Sequence, residues 1–384
     1  MYRIGQEEID AVARVINSKA LFKTLGNETV SLEKEMREYF NAENVIVMTS
    51  GMASLVSALV GMGIGPGDEV IVPAYTYIAT AFAVLTVGAI PVVAEIDESL
   101  MLDASDVEKK ITSRTKAVIP VHMKGYPVDM DKLMLVAKKH NILVLEDACQ
   151  AVGGSFKGKK LGTIGDVGSF SFNFFKNISA GEGGALLTNN KKIFETSLIY
   201  HDSCAVKYFG NQMEGFTTGV FCGNEYRTNE ITAAILRVQL TRLSGIIEDL
   251  RKNKKYLMEK LSKYYNFIPS NDPEGECSNV LTFKFDTPEE AIKVRDKGLG
   301  LTIPAYLDKH VYCFWDPLFL RKGACHPLMN PFNMEANKNA PIYTKDMCQK
   351  SVDILAKCAH FELHPDLTKE DLDAIAKKFI DAKN

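Results

Sequence analysis

The sequence has 384 residues, of which 46% are hydrophobic and 24% are charged, and its formal net charge is −3. A chain of this length predicts two domains with a large apolar core. Because a slightly acidic chain has no basic field to displace counterions, its charge excludes nucleic-acid binding as the main function. There is no secretory signal and no run of about 18 apolar residues, so we expect a cytoplasmic protein without a membrane span.

The eight cysteines and seven histidines are dispersed along the chain. No C-x-x-C pair occurs, and no spacing of histidine and cysteine suits zinc. The sequence therefore predicts free, buried thiols in a reducing compartment and no metal site.

The first half of the chain alternates between helical and strand patterns. Residues 5–18 and 29–41 have the apolar periodicity of amphipathic helices. From Val45 onward the strand-like runs are VIVM, EVIVP, IPVVA, KAVIPV and ILVLED. The helices predicted between them lie near 52–62, 79–87, 104–110 and 130–140. Valine- and isoleucine-rich strands separated by helices indicate an α/β fold, with a mostly parallel seven-stranded sheet covered on both faces.

After Asp147 the pattern changes. The runs GDVGSFSF and GGALLT have no helix between them, which indicates antiparallel pairing at the sheet edge. A long helix is predicted from about Asn229 toward Lys254, followed by short strands and terminal helices. We therefore divide the chain into a large domain, 1–250, and a smaller α+β domain, 251–384, on which residues 1–20 can pack.

One stretch, from Glu146 to Gly184, carries a carboxylate, a hydroxyl and a lysine on consecutive predicted strands and their loops. Lys176 stands among phenylalanines, and a buried ammonium costs several kcal/mol unless it is paired or chemically modified. An amine kept from water loses its proton more readily and attacks aldehydes. Lys176 is thus a candidate for a Schiff base to pyridoxal phosphate; the alternative is a lysine whose ammonium reaches solvent.

Two segments are suited to anchor the phosphate of that cofactor. The sequence TSGMASL at 49–55 joins a strand end to a helix start, where free N–H groups and the helix dipole favour a dianion. Ser171 offers a hydroxyl just before the lysine. The alternative for Ser50 is a plain helix cap.

Three further side chains are suited to the cofactor ring. Asp147 ends a parallel strand and would keep the pyridine nitrogen protonated, which makes the ring an electron sink. Tyr77 follows another strand end and is suited to stack on the ring. Gln150 lies within reach of the ring hydroxyl. The alternatives are a turn-capping aspartate, a core tyrosine and a solvent-facing amide.

Together these motifs resemble the sugar aminotransferases of the DegT/DnrJ/EryC1/StrS family, which have fold type I of the pyridoxal phosphate enzymes. The resemblance covers nearly the whole chain, through SGMASL, GPGDEVIVPAYTYIAT, EDACQA, FSFNFFKN and YRTNEITAAI. It implies that Lys176 is the Schiff-base lysine and Asp147 the partner of the pyridine nitrogen. It also implies that Gln150 lies near the ring hydroxyl and that Tyr77 is the stacking aromatic.

The resemblance implies phosphate contacts from Gly51, Met52 and Ser171. It further implies that the segment around Arg227 and Asn229 reaches into the active site of a partner subunit, which predicts a homodimer with shared sites.

The chain departs from the family pattern at three places. Met52 stands where threonine is usual, so that only its backbone N–H can hold phosphate. Glu225 stands where asparagine is common, and a carboxylate there would repel phosphate. Residues 308–332 resemble only part of the family, and we expect this region to shape the sugar pocket. Its candidate substrate contacts are His310, Tyr312 and Trp315.

The resulting hypothesis is an aminotransferase that moves an amino group from an amino acid, with glutamate expected, to a keto- or aldehydo-sugar in amino-sugar or surface-polysaccharide biosynthesis. The acceptor stays open among a nucleotide-linked keto-sugar, a free eight-carbon keto-acid sugar, a cyclitol ketone and a small phosphorylated ketone. Two alternatives are a sugar dehydratase of the same family, whose members have histidine in place of Lys176, and a non-catalytic sensor. No arginine stands out as a clamp for the donor's carboxylate.

Overall fold

The computed structural model describes residues 3–208 and 213–383. The helices in these ranges are α1 (Gln6–Ser18), α2 (Glu28–Phe40), α3 (Gly51–Gly61), α4 (Ala79–Thr86), α5 (Ala104–Lys110), α6 (Met130–His140), α7 (Lys191–His201), α8 (Glu230–Leu261), α9 (Pro288–Arg295), α10 (Asp316–Phe319), α11 (Gln349–Ala356) and α12 (Lys369–Lys383). The strands are β1 (Asn44–Met48), β2 (Glu69–Pro73), β3 (Ile90–Ala94), β4 (Thr115–Val118), β5 (Leu143–Asp147), β6 (Ser155–Phe156), β7 (Lys159–Lys160), β8 (Val167–Ser171), β9 (Gly184–Thr188), β10 (Asn266–Phe267), β11 (Val280–Lys284) and β12 (Cys358–Glu362).

Seven strands of the described chain form the main sheet, in the order β1-β9-β8-β5-β4-β2-β3. Strand β9 runs antiparallel to both of its neighbours, and the other pairs are parallel. Strands β2, β8 and β9 are buried along their whole length, as expected for a sheet with helices on both faces. The predicted fold class is therefore confirmed, and the antiparallel strand lies one position in from the edge.

The predicted helices of the first half form within about two residues of the expected bounds. A second sheet has the order β10-β11-β12 and lies in the C-terminal third of the chain. Position 250 falls inside α8, a single helix of 32 residues that is buried at intervals from Ala233 to Leu261. The predicted domain boundary thus lies within a helix, and the division at 250 stays a prediction.

The N-terminal segment contacts both parts of the chain. Ala11 and Val15 of α1 pack against Ala234 near the start of α8. Farther along, the Arg3 guanidinium pairs with Asp249 of α8 and with Asp366 before α12. The segment therefore spans from the start of α8 to the C-terminal region.

The eight cysteines are all free, but they differ in exposure. Three are buried and Cys222 and Cys325 are exposed, so the prediction of buried thiols is wrong for those two. Within the described ranges no three His, Cys, Asp or Glu side chains are arranged to hold a metal ion. None of the helices in these ranges combines the length and apolar character that crossing a bilayer requires.

A chain of buried hydrogen bonds ties the end of β2 to the second sheet. The Tyr75 hydroxyl lies 2.9 Å from His360 Nε2, and the hydroxyl of Thr282 lies 2.8 Å from Nδ1 of the same ring. The chain continues through the Tyr126 hydroxyl to the Lys254 ammonium, which donates to it at 2.9 Å. Burial lowers the pKa of His360 to about 3, so its ring stays neutral.

Acid should destabilise the fold through this ring. Because the pKa of His360 is about 3 when folded and about 6.5 when unfolded, the unfolded chain binds an extra proton between these values. Stability is then full above about pH 6.5 and falls as the pH drops, by about 2 kcal/mol at pH 5 for this histidine alone. Urea unfolding of wild type and His360→Gln at pH 7.5 and pH 5 measures this, and an equal loss in both proteins would contradict it.

Candidate active site

The carboxyl ends of the parallel strands bring the candidate side chains to one edge of the main sheet. Asp147 is the last residue of β5, and it pairs in register with Ser169 of β8. Strand β8 ends two residues later at Ser171, and the turn that follows carries Lys176. The predicted carboxylate and lysine therefore lie at the same edge.

Asp147 is buried and hydrogen-bonded, with 4% of its surface exposed. The Thr80 hydroxyl donates to Oδ2 at 2.7 Å, and the Cys149 N–H donates to Oδ1 at 3.1 Å. The Thr76 hydroxyl lies 2.7 Å from that of Thr80. Thr80 was not among the residues predicted from the sequence, although two threonines four residues apart around the start of α4 are a signal that their hydroxyls can lie close together.

Lys176 lies on a turn, and its side chain is half-buried. Its N–H donates to the Asn173 carbonyl at 3.0 Å. Phe172 is buried, but Phe174 and Phe175 are 50% and 84% exposed, so the expected dry enclosure by three phenylalanines is wrong. The reason is that β8 ends at Ser171, and after the buried Phe172 the chain turns and exposes Phe174 and Phe175.

The charges of Asp147 and Lys176 both influence the thiol of Cys149. Burial raises the pKa of the Cys149 thiol well above its ordinary value. The negative charge of Asp147 raises that pKa further, whereas the positive charge of Lys176 lowers it. Both charges thus act on one buried side chain at this edge.

The start of α3 forms a cradle at the same edge. The Ser50 side chain accepts a hydrogen bond from Ala53 N at 3.1 Å, so Ser50 is the N-cap. The N–H groups of Gly51 and Met52, in the first turn, have no intrahelical acceptor. A Cβ on Gly51 would lie 2.8 Å from Ser171 Cβ and 3.0 Å from Cys149 Sγ, so only a glycine lets the start of α3 approach Ser171 this closely.

Tyr77 and His310 form an aromatic pair on another side of the site. Their ring centroids are 5.5 Å apart, and Tyr77 is 44% exposed. The pair is fixed by backbone hydrogen bonds, since Thr76 N donates to the His310 carbonyl and Ile78 N to that of Lys309. Burial lowers the pKa of His310 to about 4, and the charges of two lysines, at 124 and 176, lower it further.

Gln150 is half-buried near Asp147. Its Oε1 accepts the N–H of Lys124 at 3.1 Å, which leaves the amide NH2 group able to donate to a ring hydroxyl.

Tyr312 and Trp315 are fully buried, and this corrects their prediction as substrate contacts. The Tyr312 hydroxyl donates to the Lys345 carbonyl at 2.6 Å and accepts from Cys348 N at 3.0 Å. Both side chains pack in the core beneath the region 308–332. Of the three predicted substrate contacts, only His310 lies beside the described site.

Arg227 and Asn229 are engaged within their own chain. The Arg227 guanidinium pairs with Glu225 at 2.5 Å and lies 5.2 Å from the ring of Phe22. The Asn229 side chain accepts from Thr232 N at 3.0 Å and caps α8. The backbone of Arg227 also forms an isolated antiparallel β-bridge with Met48, at the end of β1 and close to the start of α3. Their predicted role in a partner's site stays a prediction.

A separate cleft of about 630 Å³ lies at the opposite edge of the sheet. It is lined by Leu143 at the start of β5 and Asp166 just before β8, with Leu135 of α6 beside them. Because parallel strands start at that edge, this cleft is separate from the predicted site.

Comparison with known proteins identifies the family. A sequence profile of the DegT/DnrJ/EryC1/StrS aminotransferase family matches residues 2–380. The chain belongs to this family. It is 37% identical over 269 residues to GDP-perosamine synthase of Caulobacter vibrioides, covering 69% of this chain and 70% of that protein.

Two further relatives agree with this. The chain is 39% identical over 237 residues to dTDP-3-amino-3,4,6-trideoxy-alpha-D-glucose transaminase of Streptomyces venezuelae, covering 61% of this chain and 60% of the relative. The structure of S. venezuelae DesV in complex with a ketimine intermediate superposes with a TM-score of 0.79 at 26% identity, over 98% of this chain and 94% of that one.

The residues at this edge fit pyridoxal phosphate. The free N–H groups of the first turn of α3 and the Ser171 hydroxyl, which Gly51 allows to lie next to that turn, match a phosphate. The buried carboxylate of Asp147 matches a protonated pyridine nitrogen. Lys176, on the turn after β8, would supply the amine.

Thr80 should act as a positioning residue for Asp147. Thr80→Val removes a hydrogen bond to a carboxylate, which contributes about 1.5–3 kcal/mol, so we expect the affinity for pyridoxal phosphate to fall about tenfold or more. Equilibrium dialysis measures this, with Thr80→Ser as the control that keeps the hydroxyl. Equal affinity of Thr80→Val and wild type would show that the bond has no such role.

Proposed function

We propose that the protein is a pyridoxal-phosphate-dependent aminotransferase that takes an amino group from glutamate and delivers it to a keto- or aldehydo-sugar. The observation that supports the proposal is that Asp147 and Lys176 lie at one sheet edge, beside the start of α3 and Ser171. Membership of an aminotransferase family supports the reaction type.

When bound, pyridoxal phosphate supplies an aldehyde that takes up the amino group and a ring that accepts electrons from the reacting carbon. The chain's own residues do the rest. Asp147 holds the proton on the ring nitrogen, and Thr80 fixes the direction of the carboxylate. The Lys176 amine acts as base and then acid, taking a proton from the substrate carbon and returning one. Phosphate is bound by backbone N–H groups and Ser171.

The names of the relatives favour a sugar acceptor linked to a nucleotide. One relative is a GDP-perosamine synthase and another a dTDP-amino-trideoxyglucose transaminase. We therefore propose a role in amino-sugar biosynthesis that feeds a surface polysaccharide. A free eight-carbon keto-acid sugar is the acceptor to test next. We place the reaction in the cytoplasm, where an exposed thiol such as Cys222 stays reduced.

Lys176 should be required for amino transfer. With ¹⁵N-labelled glutamate and pyridoxal phosphate, wild type is expected to release 2-oxoglutarate and retain the label, whereas Lys176→Ala should be slower by at least about 10²-fold because it lacks the base. A visible absorbance band of the bound cofactor that needs Lys176 is the second readout. Label transfer at the wild-type rate by Lys176→Ala would overturn the proposal.

We also propose a homodimer with shared sites. Several large apolar side chains around the site are exposed in the single subunit, and a partner would cover them. They are Leu21, Phe22, Leu25, Tyr77, Phe174 and Phe175.

A charge placed in this apolar surface should disrupt the dimer. Phe175→Lys is expected to shift the protein toward the monomer, since Phe175 is 84% exposed and a buried unpaired ammonium is costly. Leu135→Lys, at the opposite sheet edge, is the matched control and should leave the mass unchanged. Sedimentation equilibrium gives the masses. A dimer of unchanged stability for Phe175→Lys contradicts this interface.

A further inference from the structure

Lys124 has a backbone conformation that lysine seldom adopts. It lies in a short turn after β4 with φ +53° and ψ +26°, in the left-handed region. The next residue, Gly125, has φ +80°. A long side chain in this region costs free energy, and such residues concentrate at functional sites. The conformation therefore raises the question of what Lys124 does there.

The turn is held against the site by contacts on both sides. The Lys124 N–H donates to Gln150 Oε1 at 3.1 Å. On the other side, Gly125 packs against Asn279, since a Cβ there would lie 2.5 Å from Asn279 Oδ1. The Asn279 amide in turn lies 3.4 Å from Asn177, the neighbour of Lys176. Lys124 is thus fixed between the residue proposed for the ring hydroxyl and the segment that carries the amine.

The Lys124 ammonium pairs with Glu362, two residues after His360, whose ring is hydrogen-bonded to Tyr75 in the segment that carries Tyr77. The charge of Lys124 acts on His310, whose ring is 5.5 Å from that of Tyr77. The charge of Lys176 acts on the same ring in the same direction, and that of Asp308 opposes both. The charges of two lysines therefore act on a histidine that stays neutral above about pH 4.

The partner of this ammonium is easily displaced. Lys124 Nζ donates to Glu362 Oε1 at 2.6 Å, with side-chain exposures of 23% for the lysine and 62% for the glutamate. An ion pair with one exposed partner contributes at most about 1 kcal/mol, so Glu362 can turn into water at little cost. The lysine is more buried and stays in place.

We propose that Lys124 binds a carboxylate group of the substrate, which takes the place of Glu362. This rests on the proposed function, since it assigns the residue that recognises a carboxylate of the amino-acid donor. It also explains how a site with no arginine clamp evident in the sequence can hold an amino acid.

The binding step is tested with glutarate, an unreactive dicarboxylate, by calorimetric titration of the protein loaded with pyridoxal phosphate. Lys124→Met should bind glutarate about tenfold more weakly, because a charge-assisted hydrogen bond is lost. Lys124→Arg keeps the charge and should stay within about threefold of wild type. Glutaramide, the uncharged diamide, should bind wild type and Lys124→Met equally.

For a second variant, at Glu362, we expect the opposite change in glutarate affinity. Glu362→Gln removes the competing carboxylate from an exposed position, so glutarate should bind about two- to fivefold more tightly. General damage to the fold would weaken binding in both variants. Unchanged glutarate affinity in Lys124→Met, or weaker binding by Glu362→Gln, would overturn the proposal.

Steady-state kinetics tells which substrate carries the carboxylate. If Lys124→Met raises KM for glutamate while kcat stays near wild type, the donor is bound there. If it raises KM only for an acidic keto-sugar, Lys124 acts on the acceptor and the proposal is overturned. If neither KM changes, the assignment fails. Loss of amino transfer from the wild type would instead refute the proposed function, and glutarate binding would still report on Lys124.

Discussion

The buried carboxylate of Asp147 is the constraint on which the rest of the site depends. Removing a carboxylate from water costs several kcal/mol unless hydrogen bonds replace the lost hydration. Here the Thr80 hydroxyl and the Cys149 N–H replace it at the end of β5. Because these two donors come from different elements, the oxygens cannot rotate freely, and a cation beside them meets a partner of fixed direction. Lys176 reaches the same edge through the neighbouring strand β8.

Residues 75–80 connect the surroundings of Asp147 to the rest of the molecule through hydrogen bonds. Tyr75 is bonded to His360 of the second sheet, and the backbone of Thr76 is bonded to His310. Tyr77 and Thr80, in the same segment, face the site. The second sheet therefore contributes to catalytic geometry without supplying a group that reacts, and rigid support of this kind is what precise positioning requires.

The sequence predicted the residues whose role follows from strand ends. Asp147, Gly51 and Ser171 lie where alternating strands and helices place them. Thr80 and Lys124 were missed, because their roles come from contacts between elements that are distant in sequence. For aromatic residues in aperiodic segments, burial was predicted wrongly in both directions. Phe174 and Phe175 are exposed, whereas Tyr312 and Trp315 are buried, since composition alone does not tell a core from a pocket.

The uninterrupted course of α8 limits how the enzyme can adapt to its substrates. The helix has 32 residues and extends over about 48 Å, with buried side chains in both halves. Opening a cleft between the two sheets would bend α8 or expose its buried apolar side chains to water, and both are unfavourable. If the enzyme accepts sugars of different bulk, we expect the differences in the short helical turns between 304 and 337, which belong to no sheet. We therefore expect substrate specificity in such enzymes to change in evolution through exchange of these turns, while the helix α8 and the sheets keep their geometry.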